Sequence, residues 1–571
     1  MRQLTTHSTS ARIIHAKRAI LALSLMALAE CAFSQPTPQC APGYTYVGGR
    51  WLPQYSPGSV SGHWIGGKCE KLPPPNSTTI AHWTQGTNSV PAIQSYIGLY
   101  VTKILLSDGT VMAQACTNSV ACGQQWLRLT PDAHGSYKSG TWTSIHDSNF
   151  SRSDYGSTML KDGRVFFIGG EFTDSMQQGE IYDPATNTWT KVSKPPTDLF
   201  ASNAEFLDSQ TMLLPDGRVL VAPVKNAQAN NTIIYDPMQN VWAAGAQFPG
   251  GRTEDEATWV KLADDSIIAP NPDNIHSERY IPSQNKWVDD ATMPSEAVLY
   301  GKGEIGPGFL LQSGKAFFFG GSGHTAIYSP PTGTETVGAW TAGPAIPGPN
   351  PNDVGNGSGV AADVAGAMLP NGKIIINVGF SAGNGGSIPP GLFYEFDPTT
   401  SKFRQITAPN GAAQIEFTPG NIGYLVLPDG TIMGNSGDAS KFAYFYGPNE
   451  PPLSSGKPTI TDISENSDGS YHLSGTGFNG LSQGASFGDD AQMDSNYPIV
   501  ELMLPNGTVR FAKTFNWSST GVQTGMKPVT TEFRLTKLDT IICNKYALVV
   551  IANGISSNAI SFAPSNCKRP P

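Results

Sequence analysis

The chain has 571 residues, 14% of them charged, and a formal net charge of −9. That length exceeds what one ordinary hydrophobic core supports, so several domains or a repeat array are expected. The 62 glycines and 45 prolines indicate many short strands and turns, and the 39% share of hydrophobic residues excludes a disordered chain. Because the chain is acidic and has no basic stripe beyond its N-terminus, nucleic acid is not expected as a partner.

The N-terminus has the pattern of a signal peptide, which we assign to residues 1–34. Basic residues precede an apolar run over residues 19–29, which is too short to span a bilayer. Small residues then lead to Gln35, so cleavage there and export to the periplasm or the cell exterior are predicted, with no transmembrane segment in the mature chain. Cys31 also suggests a lipoprotein, but Glu30 is a poor neighbour for a lipidated cysteine.

Six cysteines remain after this cleavage, and an even number in an exported chain indicates disulfides. Proximity in sequence suggests three pairs, although six cysteines allow about fifteen connectivities. No Cys-x-x-Cys spacing occurs, so neither a redox nor a zinc site is predicted. The suggested pairs are Cys40–Cys69, Cys116–Cys122 and Cys543–Cys567.

Residues 35–78 form a short segment rich in Pro, Gly and aromatic residues, with a proline-rich linker at its end. So small a piece buries little surface, which explains why a disulfide between Cys40 and Cys69 would be needed. Its aromatic side chains are interpreted as a minimal core. The alternative is that they are exposed and stack on sugar rings.

A unit of four antiparallel strands recurs over residues 79–452. In one copy, residues 159–170 form two apolar strands joined by Asp162-Gly163, and Tyr182-Asp183-Pro184 and Trp189 follow. Repeats of about fifty residues with four strands are typical of kelch-type blades, and their closure into a ring makes a β-propeller. The last repeat lacks a closing aromatic residue, so it is expected to borrow a strand from near residues 80–83. The turns that give a count of seven blades are Asp108-Gly109, Asp162-Gly163, Asp216-Gly217, Asp265-Ser266, Ser313-Gly314, Asn371-Gly372 and Asp429-Gly430.

Residues 453–567 change character after the Pro451-Pro452 pair. Alternating apolar and polar residues, as in 499–504 and 546–552, predict a β-sandwich of the immunoglobulin-like, early-set type. The predicted fold class is therefore all-β, with a seven-bladed propeller followed by a sandwich.

This order of segments resembles the architecture of galactose oxidase and glyoxal oxidase over roughly residues 79–565. The chain is also similar to a group of exported bacterial kelch repeat-containing proteins, for which no activity is implied. The residues that carry this second resemblance are Phe478–Ala485, Gly488–Gln492 and Asn496–Pro498.

The oxidase resemblance implies a copper ion held by two His and two Tyr ligands, one Tyr being joined to a Cys. In that family a Tyr-His pair precedes the first strand of the last blade, where this chain has Gly420-Asn421. The trailing domain should supply another His, but its one histidine, His472, lies near the domain's start. Copper is therefore not expected here.

Carboxylates recur at nearly one register, nine to twelve residues before the turns, where loops enter the innermost strands. By analogy with other propellers, these residues lie at one mouth of the central channel. Asn421 takes the corresponding place in the last blade. The candidate ligand-binding residues are Arg152, Asp154, Tyr155, Glu205, Glu254, Asp255, Glu256, Glu304 and Asp363.

These carboxylates allow three interpretations. They cap backbone groups or pair with nearby basic residues such as Arg152, Arg252 and Lys302; they bind a hard cation such as calcium; or their crowding raises one pKa and creates the acid/base pair of glycosidic cleavage. Aromatic residues near the same mouth would stack on sugars, and these are Tyr155, Trp259 and Tyr300.

Three functions follow as hypotheses. The first is a binding protein that recognises a glycan or cell-surface polymer at the channel mouth. The second is a carbohydrate-active hydrolase or lyase that uses the carboxylates. The third, a copper oxidoreductase, is the least favoured, and the sequence does not decide whether the protein is an enzyme or which oligomer it forms.

Overall fold

A computed structural model describes most of the chain after residue 80 and four short strands before it. The chain divides into two compact units, residues 1–72 with 505–507 and residues 73–504 with 508–571. The described residues are 44–47, 50–56, 59–65, 68–71, 81–91, 98–116, 122–171, 177–201, 204–223, 231–252, 256–272, 274–297, 299, 304–348, 359–381, 387–416, 418–436, 441–487, 492–535 and 545–565.

The smaller unit contains two antiparallel strand pairs. β1 (Tyr44–Val47) pairs with β4 (Lys68–Lys71), and β2 (Arg50–Ser56) pairs with β3 (Ser59–Ile65). The signal peptide assigned to residues 1–34 lies outside the described residues, as do Cys40, Cys543 and Cys567.

The chain is all-β, and its larger unit contains a β-propeller. Within the described residues, six separate four-stranded antiparallel sheets serve as blades, each with its strands in meander order. Blades 1 to 5 take consecutive strands, and the closing blade combines three late strands with one early strand. The strands are β5 (His82–Gln85); in blade 1, β6 (Gly98–Leu105), β7 (Val111–Cys116), β8 (Cys122–Thr130) and β9 (Thr141–Ser144); in blade 2, β10 (Gly156–Met159), β11 (Val165–Ile168), β12 (Gly179–Asp183) and β13 (Thr188–Lys191); in blade 3, β14 (Thr211–Leu213), β15 (Val219–Val221), β16 (Asn231–Asp236) and β17 (Val241–Gln247); in blade 4, β18 (Val260–Lys261), β19 (Ile267–Pro270), β20 (Ser277–Ile281) and β21 (Lys286–Asp289); and in blade 5, β22 (Ile305–Leu310), β23 (Ala316–Gly320), β24 (Thr325–Ser329) and β25 (Ala339–Ala342).

A wider sheet follows blade 5, and the closing blade comes after it. The wide sheet has the order β30-β29-β28-β27-β36-β37, with β26 paired to β28. In the closing blade, β5 pairs with β33, so the early strand completes the last repeat as the sequence predicts. The strands are β26 (Gly359–Val360), β27 (Ala365–Met368), β28 (Ile374–Ser381), β29 (Ser387–Asp397) and β30 (Lys402–Ile406); β31 (Tyr424–Val426), β32 (Ile432–Gly434) and β33 (Tyr444–Gly447) in the closing blade; and β34 (Thr459–Glu465), β35 (Tyr471–Thr476), β36 (Gly484–Phe487) and β37 (Gln492–Asp494).

A further, curled sheet lies at the C-terminal end, in the order β34-β35-β40-β39-β38-β41-β42, with β43 paired to β41. It encloses its own core, in which the ring of Tyr471 stacks on Phe533 at 5.1 Å and meets Phe562 edge-on at 4.9 Å. The remaining strands are β38 (Ile499–Met503), β39 (Val509–Phe515), β40 (Val529–Arg534), β41 (Tyr546–Ala552), β42 (Ile555–Ser556) and β43 (Ile560–Phe562).

Turn chemistry explains the repeated blade. In blade 2, Gly163 adopts φ 80°, its amide donates to the carbonyl oxygen of Leu160, and Asp162 accepts from the amide of Arg164 at 3.0 Å. In blade 4 the left-handed residue is Asp265, with φ 68°, so the turn is Asp264-Asp265. This corrects the assignment of that turn to Asp265-Ser266 by one residue.

Aromatic side chains hold each blade together and join it to the next. Tyr182 donates from its hydroxyl to Asn187 in blade 2, and Tyr235 does the same to Asn240 in blade 3. The indole of Trp242 donates to the carbonyl oxygen of Ser193, which lies just after the last strand of the preceding blade. These contacts account for the repeated Tyr and Trp as structural residues.

Short 3-10 turns are the helical elements of the described chain, and none of its helices has the length and apolar character needed to cross a membrane. They lie in loops between strands. Their bounds are Pro249–Gly251, Pro282–Gln284, Ser295–Ala297, Pro419–Asn421 and Ser454–Gly456.

The propeller and the curled sheet belong to one compact unit, because the C-terminal segment enters the propeller. The hairpin β36–β37, named here the central hairpin, contacts the first strands of blades 1, 2 and 5 and of the closing blade, and pairs with β27. The curled sheet covers the turns: the amide of Thr514 donates to the carbonyl oxygen of Ser107 at 3.1 Å, and Gln523 donates to that of Leu311 at 2.6 Å. The predicted boundary near residue 453 therefore separates two sequence regions that pack together.

Cys116 and Cys122 stand directly opposite each other on neighbouring antiparallel strands. Opposed residues in such a pair have Cα atoms about 4.5–5.5 Å apart, within the range that a disulfide spans. This register suits the suggested pairing, which stays a prediction.

Candidate functional site

Four carboxylates share one position in the repeat and one unusual backbone conformation. Asp154, Asp208 and Glu256 precede the first strands of blades 2, 3 and 4, Asp363 precedes β27 of the wide sheet, and all four adopt left-handed φ values between 46° and 60°. Each stands the same number of residues before the left-handed residue of its turn. A residue with a β-carbon is disfavoured there by about 1–2 kcal/mol, so the surrounding structure has to impose the conformation.

Glu304 takes the corresponding place in blade 5. It stands one residue earlier relative to its turn, because a register shift between Ile305 and Gly308 adds a residue to β22. Because the extra residue is taken up within β22, Glu304 still stands at the mouth end of that strand.

Five carboxyl groups meet at this mouth and are named here the acidic cluster: Asp154, Glu171, Glu256, Glu304 and Asp363. They come from blades 2, 4 and 5 and from the wide sheet, which means that they face one another across the ring. The negative charges of the other four members each act on Asp363. The fold thus concentrates like charges from separate sheets in one place.

Burial is the leading cause that raises the pKa of Glu304 to about 7, and the negative charges of Glu256 and Glu171 add to it. Its Oε2 atom is buried and accepts no hydrogen bond within the described part of the chain. A carboxyl that lacks donors and faces other carboxylates is more stable with its proton bound. Near neutral pH, Glu304 is therefore in part a protonated acid.

Asp363 lies deepest among these charges. Burial raises the pKa of Asp363 well above its ordinary value, followed by the charges of Glu304, Asp154, Glu256 and Glu171. The side chain keeps some contact with solvent, but protein atoms surround it closely enough for desolvation to dominate. Burial and the four neighbouring carboxyls thus both disfavour the charged form of Asp363.

Asp363 is also held against the closing blade. A β-carbon added to Gly420 would stand 2.6 Å from the carbonyl oxygen of Asp363 and 3.3 Å from its Oδ2 atom. The preceding residue, Pro419, accepts a 2.6 Å hydrogen bond from the buried side chain of Asn377. Only a glycine at position 420 allows this close approach.

Glu171 is a member of the cluster that sequence reasoning missed. It follows the paired glycines 169–170 at the end of β11, and its amide donates to the carbonyl oxygen of Ser153 at 2.7 Å. Antiparallel pairing of β10 with β11 thereby brings it beside Asp154. Extending that register by three residues from Gly156 opposite Ile168 would have found it.

The basic residues near the mouth in sequence have partners elsewhere. Arg152 is buried and pairs with Glu180 at 3.2 Å, while its Nη1 atom donates to the carbonyl oxygens of Gln178 and Gly169. Arg252 pairs with Glu278 and Asp289. Neither arginine is among the charges that act on Glu304 or Asp363. The predicted ligand-binding role of Arg152 is thus replaced by a buried ion pair.

Two aromatic candidates belong to the core. Tyr155 is 1% exposed and donates from its hydroxyl to Gln114 at 2.9 Å, and Trp259 is 1% exposed and packs on Trp287. Neither ring is available to stack on a sugar, so that assignment is corrected. Their burial follows from their position beside strands β10 and β18, where side chains fill the space between blades.

The blade 3 candidate, Glu205, stays a prediction, and a second carboxylate lies close to it in sequence. Glu205 is partly exposed, but Asp208 holds the left-handed position that matches the other blades, and Asp208 is 5% exposed. Outside the described residues lie Glu254, Asp255, Tyr300 and Lys302.

Strand β36 of the central hairpin runs beside β27 near the acidic cluster. In the register of β36 with β27, Ala367 stands opposite Ala485 and Ala365 opposite Phe487. Ala365 is two residues beyond Asp363, so β36 reaches the end of β27 that is next to the cluster. Residues 488–491, which follow β36, lie outside the described residues.

The described residues do not fit the copper ligands that the oxidase resemblance implies. A tyrosine in place of Gly420 would collide with Asp363, and position 421 carries an asparagine. Among the described residues, no group of three or more His, Cys, Asp or Glu side chains is arranged to hold a metal ion. A calcium ion at the acidic cluster stays a prediction.

No known protein-family model matches this chain. Among curated proteins, the N-acetylneuraminate epimerase of Yersinia enterocolitica serotype O:8 / biotype 1B (strain NCTC 13174 / 8081) is 24% identical over 186 residues. The match covers 26% of this chain and 46% of the epimerase. The chain thus spans about half the length of that relative.

Two solved structures have a similar fold. A fungal alcohol oxidase of the AA5 family, in complex with copper, aligns with a TM-score of 0.48 and 12% identity over 85% of this chain and 99% of that chain. A virginiamycin B lyase from Staphylococcus aureus aligns with a TM-score of 0.42 and 11% identity over 64% of this chain and 100% of that chain. Both likenesses concern the fold alone.

Proposed function

We propose that this chain is an exported β-propeller protein that binds a glycan or a cell-surface polymer at the acidic mouth. The observation that carries the proposal is the set of five carboxyl groups near the mouth, where the pKa of Glu304 is raised to about 7 and that of Asp363 is raised well above its ordinary value. Carboxylates that serve only to stabilise a fold are normally paired with a donor or a cation. Carboxyls with strongly raised pKa values therefore indicate a functional site.

The mixture of protonated and charged carboxyls suits a hydroxyl-rich ligand. A carboxyl of the cluster donates a hydrogen bond when it is protonated, as Glu304 is in part near neutral pH, and accepts hydrogen bonds when it is charged. Sugar hydroxyls both donate and accept, and hydrogen bonds to a charged acceptor are the stronger kind. The mouth thus offers both hydrogen-bond donors and hydrogen-bond acceptors to the hydroxyls of a sugar.

The charge of the mouth selects among glycans. Arg152 and Arg252 are engaged with other carboxylates, so the cluster keeps its negative potential. A carboxylated or sulfated sugar would be repelled, whereas a neutral sugar or one with a free amine would be accepted. We therefore expect a neutral or amine-bearing polymer as the ligand.

A carbohydrate-active enzyme is the second candidate. Glu304 has a pKa raised to about 7, to which the charge of Glu256 contributes, and a carboxyl with a raised pKa near a second one is what glycosidic cleavage requires. The same pairing would also serve lyase chemistry. A calcium site and a copper oxidase are less favoured alternatives.

The proposal includes an architecture. We infer seven blades, counting β27–β30 of the wide sheet as the sixth, because its strand order and turn match those of the other blades. We further propose that the curled sheet is an immunoglobulin-like sandwich, that residues 1–34 direct export, and that the mature chain carries the three suggested disulfides.

The test is a binding screen with protein purified from an oxidising compartment. Wild-type protein, the pair Glu304→Gln/Asp363→Asn and the turn variant Asp162→Asn are applied to a panel of neutral, amine-bearing and acidic polysaccharides. We expect binding of neutral or amine-bearing polymers and about a tenfold loss in the mouth variant alone. Equal binding by all three proteins would contradict the proposal, and hydrolysed or eliminated products that only the mouth variant fails to form would favour the enzyme.

A further inference from the structure

We propose a second carbohydrate site, for a single pyranose ring, on the outer rim between blades 1 and 2. A cavity of about 620 Å³ lies there, named here the rim cavity and lined by Ile145, His146, Asp147, Asn149, Thr188 and Trp189. It lies beside the outermost strands β9 and β13, whereas the acidic cluster precedes the innermost strands. The inference is therefore independent of the function proposed for the mouth.

Trp189 differs from the equivalent residues of other blades. The closing residues Trp142, Trp242, Trp287 and Trp340 are 3–8% exposed, but Trp189 is not fully buried, and it borders the rim cavity. One side of its ring packs among Trp126, Phe167 and Tyr182 at 4.8–5.5 Å. An indole supported by the core and open to a cavity is the platform on which sugar rings stack.

Among the polar side chains of the cavity, Asn149 and Thr188 are hydrogen-bonded to other residues, whereas those of His146 and Asp147 are exposed and make no hydrogen bond within the described chain. The carboxylates of the blade turns, by contrast, are hydrogen-bonded. A carboxylate accepts from two hydroxyls and an imidazole both donates and accepts. Together with the indole they supply the contacts that a pyranose requires.

The backbone that carries these side chains is fixed in place. The indole of Trp189 donates to the carbonyl oxygen of His146 at 2.8 Å, and the amide of His146 donates to Asn187 at 3.2 Å. Three residues on, Asn149 donates twice to buried Glu180, at 2.9 and 3.0 Å. Since the loop is ordered before binding, little conformational freedom is lost when a sugar enters.

A rim site and a mouth site on one propeller would act together on a polymer. A single pyranose subsite binds weakly, but two sites that engage one chain raise the overall affinity through their effective concentration. The rim site therefore fits a polymeric rather than a monomeric ligand.

The proposal is tested by saturation-transfer NMR on the full protein with methyl glycosides of glucose, galactose, mannose and N-acetylglucosamine. We expect at least one sugar to receive saturation from the wild type and from Glu304→Gln/Asp363→Asn. His146→Ala/Asp147→Asn should weaken that sugar's affinity about tenfold. Both substituted side chains are exposed, so thermal melting is expected to match the wild type.

Trp189→Phe provides the second variant, with Trp242→Phe as its buried counterpart. Trp189→Phe should reduce the transfer and Trp242→Phe should leave it unchanged. The rim site is overturned if none of the four sugars receives saturation from the wild type, or if the rim variants retain the wild-type signal. Loss in the mouth variant alone would place the sugar at the mouth and likewise overturn the rim site.

Discussion

At the turn end of blade 3, Asp216 accepts a hydrogen bond from the amide of Arg218 at 3.0 Å and pairs with its guanidinium at 2.7 Å. At the mouth end of the wide sheet, Asp363 instead faces four other carboxyls. Burial would raise the pKa of Asp216, but hydrogen bonds from Arg218 lower it overall. Burial and like charges both raise the pKa of Asp363.

The comparison shows that the same residue type has opposite roles at the two ends of a blade's first strand. At the turn end, the carboxylate fixes the backbone and contributes to stability in its charged form. At the mouth end, residues with left-handed backbone hold several carboxyls close to one another. Burial and like charges there disfavour the charged form of these carboxyls. Local arrangements that oppose stability are expected at functional sites, which is why we place the function at the mouth.

The largest effect is expected from removing the charges at the mouth. A folded carboxyl with a raised pKa binds more protons than the unfolded chain, so stability falls as pH rises from the ordinary pKa to the folded one. For Glu304 that window runs from 4.5 to about 7, and for Asp363 it begins at 3.8. Glu304→Gln/Asp363→Asn should therefore increase the free energy of unfolding by about 1–3 kcal/mol at pH about 8.

Urea unfolding at several pH values measures this gain. The difference between variant and wild type should be small below pH about 3, where the wild-type groups are protonated in both the folded and the unfolded state, and should grow with pH. A constant difference, or destabilisation at high pH, would contradict the like-charge account of the cluster.

A disulfide at the mouth end of blade 1 would restrain the loop between β7 and β8. If Cys116 and Cys122 are bonded, closing so short a loop stabilises the fold by about 2 kcal/mol. Cys116→Ser/Cys122→Ser should lose that amount, as measured by urea unfolding. The same experiment with reductant present is the control, since reductant should lower the wild type to the variant's level and leave the variant unchanged.

The close approach of the closing blade to Asp363 is tested at Gly420. Gly420→Ala places a β-carbon 2.6 Å from the carbonyl oxygen of Asp363. The backbone has to shift to avoid this clash, which should destabilise the protein by about 1–2 kcal/mol. Gly447→Ala is the matched control, because a β-carbon there meets no atom within 4 Å. Equal melting temperatures for both variants would show that Asp363 is not held as described.

The smallest effect, and one of opposite sign, is expected at the turn end. Because the folded pKa of Asp216 is lowered, its contribution is present above the ordinary pKa and is lost as pH falls through the folded one. Asp216→Asn should destabilise the protein by about 0.5 kcal/mol at neutral pH, since the pair is half exposed and screened by solvent. The difference from the wild type should vanish in strong acid.

The blades could be predicted because each repeat encodes its own turn. Asp162-Gly163 supplies both the left-handed residue and the side-chain acceptor, so the pattern is local. The pairing of β5 with β33 followed from a missing aromatic in the last repeat. The blade 4 turn was misplaced because Asp265 takes the left-handed place usually held by glycine.

The site could be predicted only in part, because it depends on register and on distant pairing. Counting back from the turns found Asp154, Glu256, Glu304 and Asp363. It selected Glu205 in place of Asp208, since a window of residues does not specify backbone conformation. Glu171 was missed because it follows the second strand of its blade and not the loop before the first. The central hairpin was missed because no local sequence pattern indicates which distant strand it pairs with.

The most direct test of the account is infrared difference spectroscopy of the folded protein between pH about 6 and about 9. The account predicts that a carbonyl band of protonated carboxylic acid disappears as the pH rises, and that this band is absent from Glu304→Gln/Asp363→Asn. An unchanged spectrum, or the same lost band in the variant, would mean that the mouth carboxyls are ordinary charged groups and would contradict the central claim.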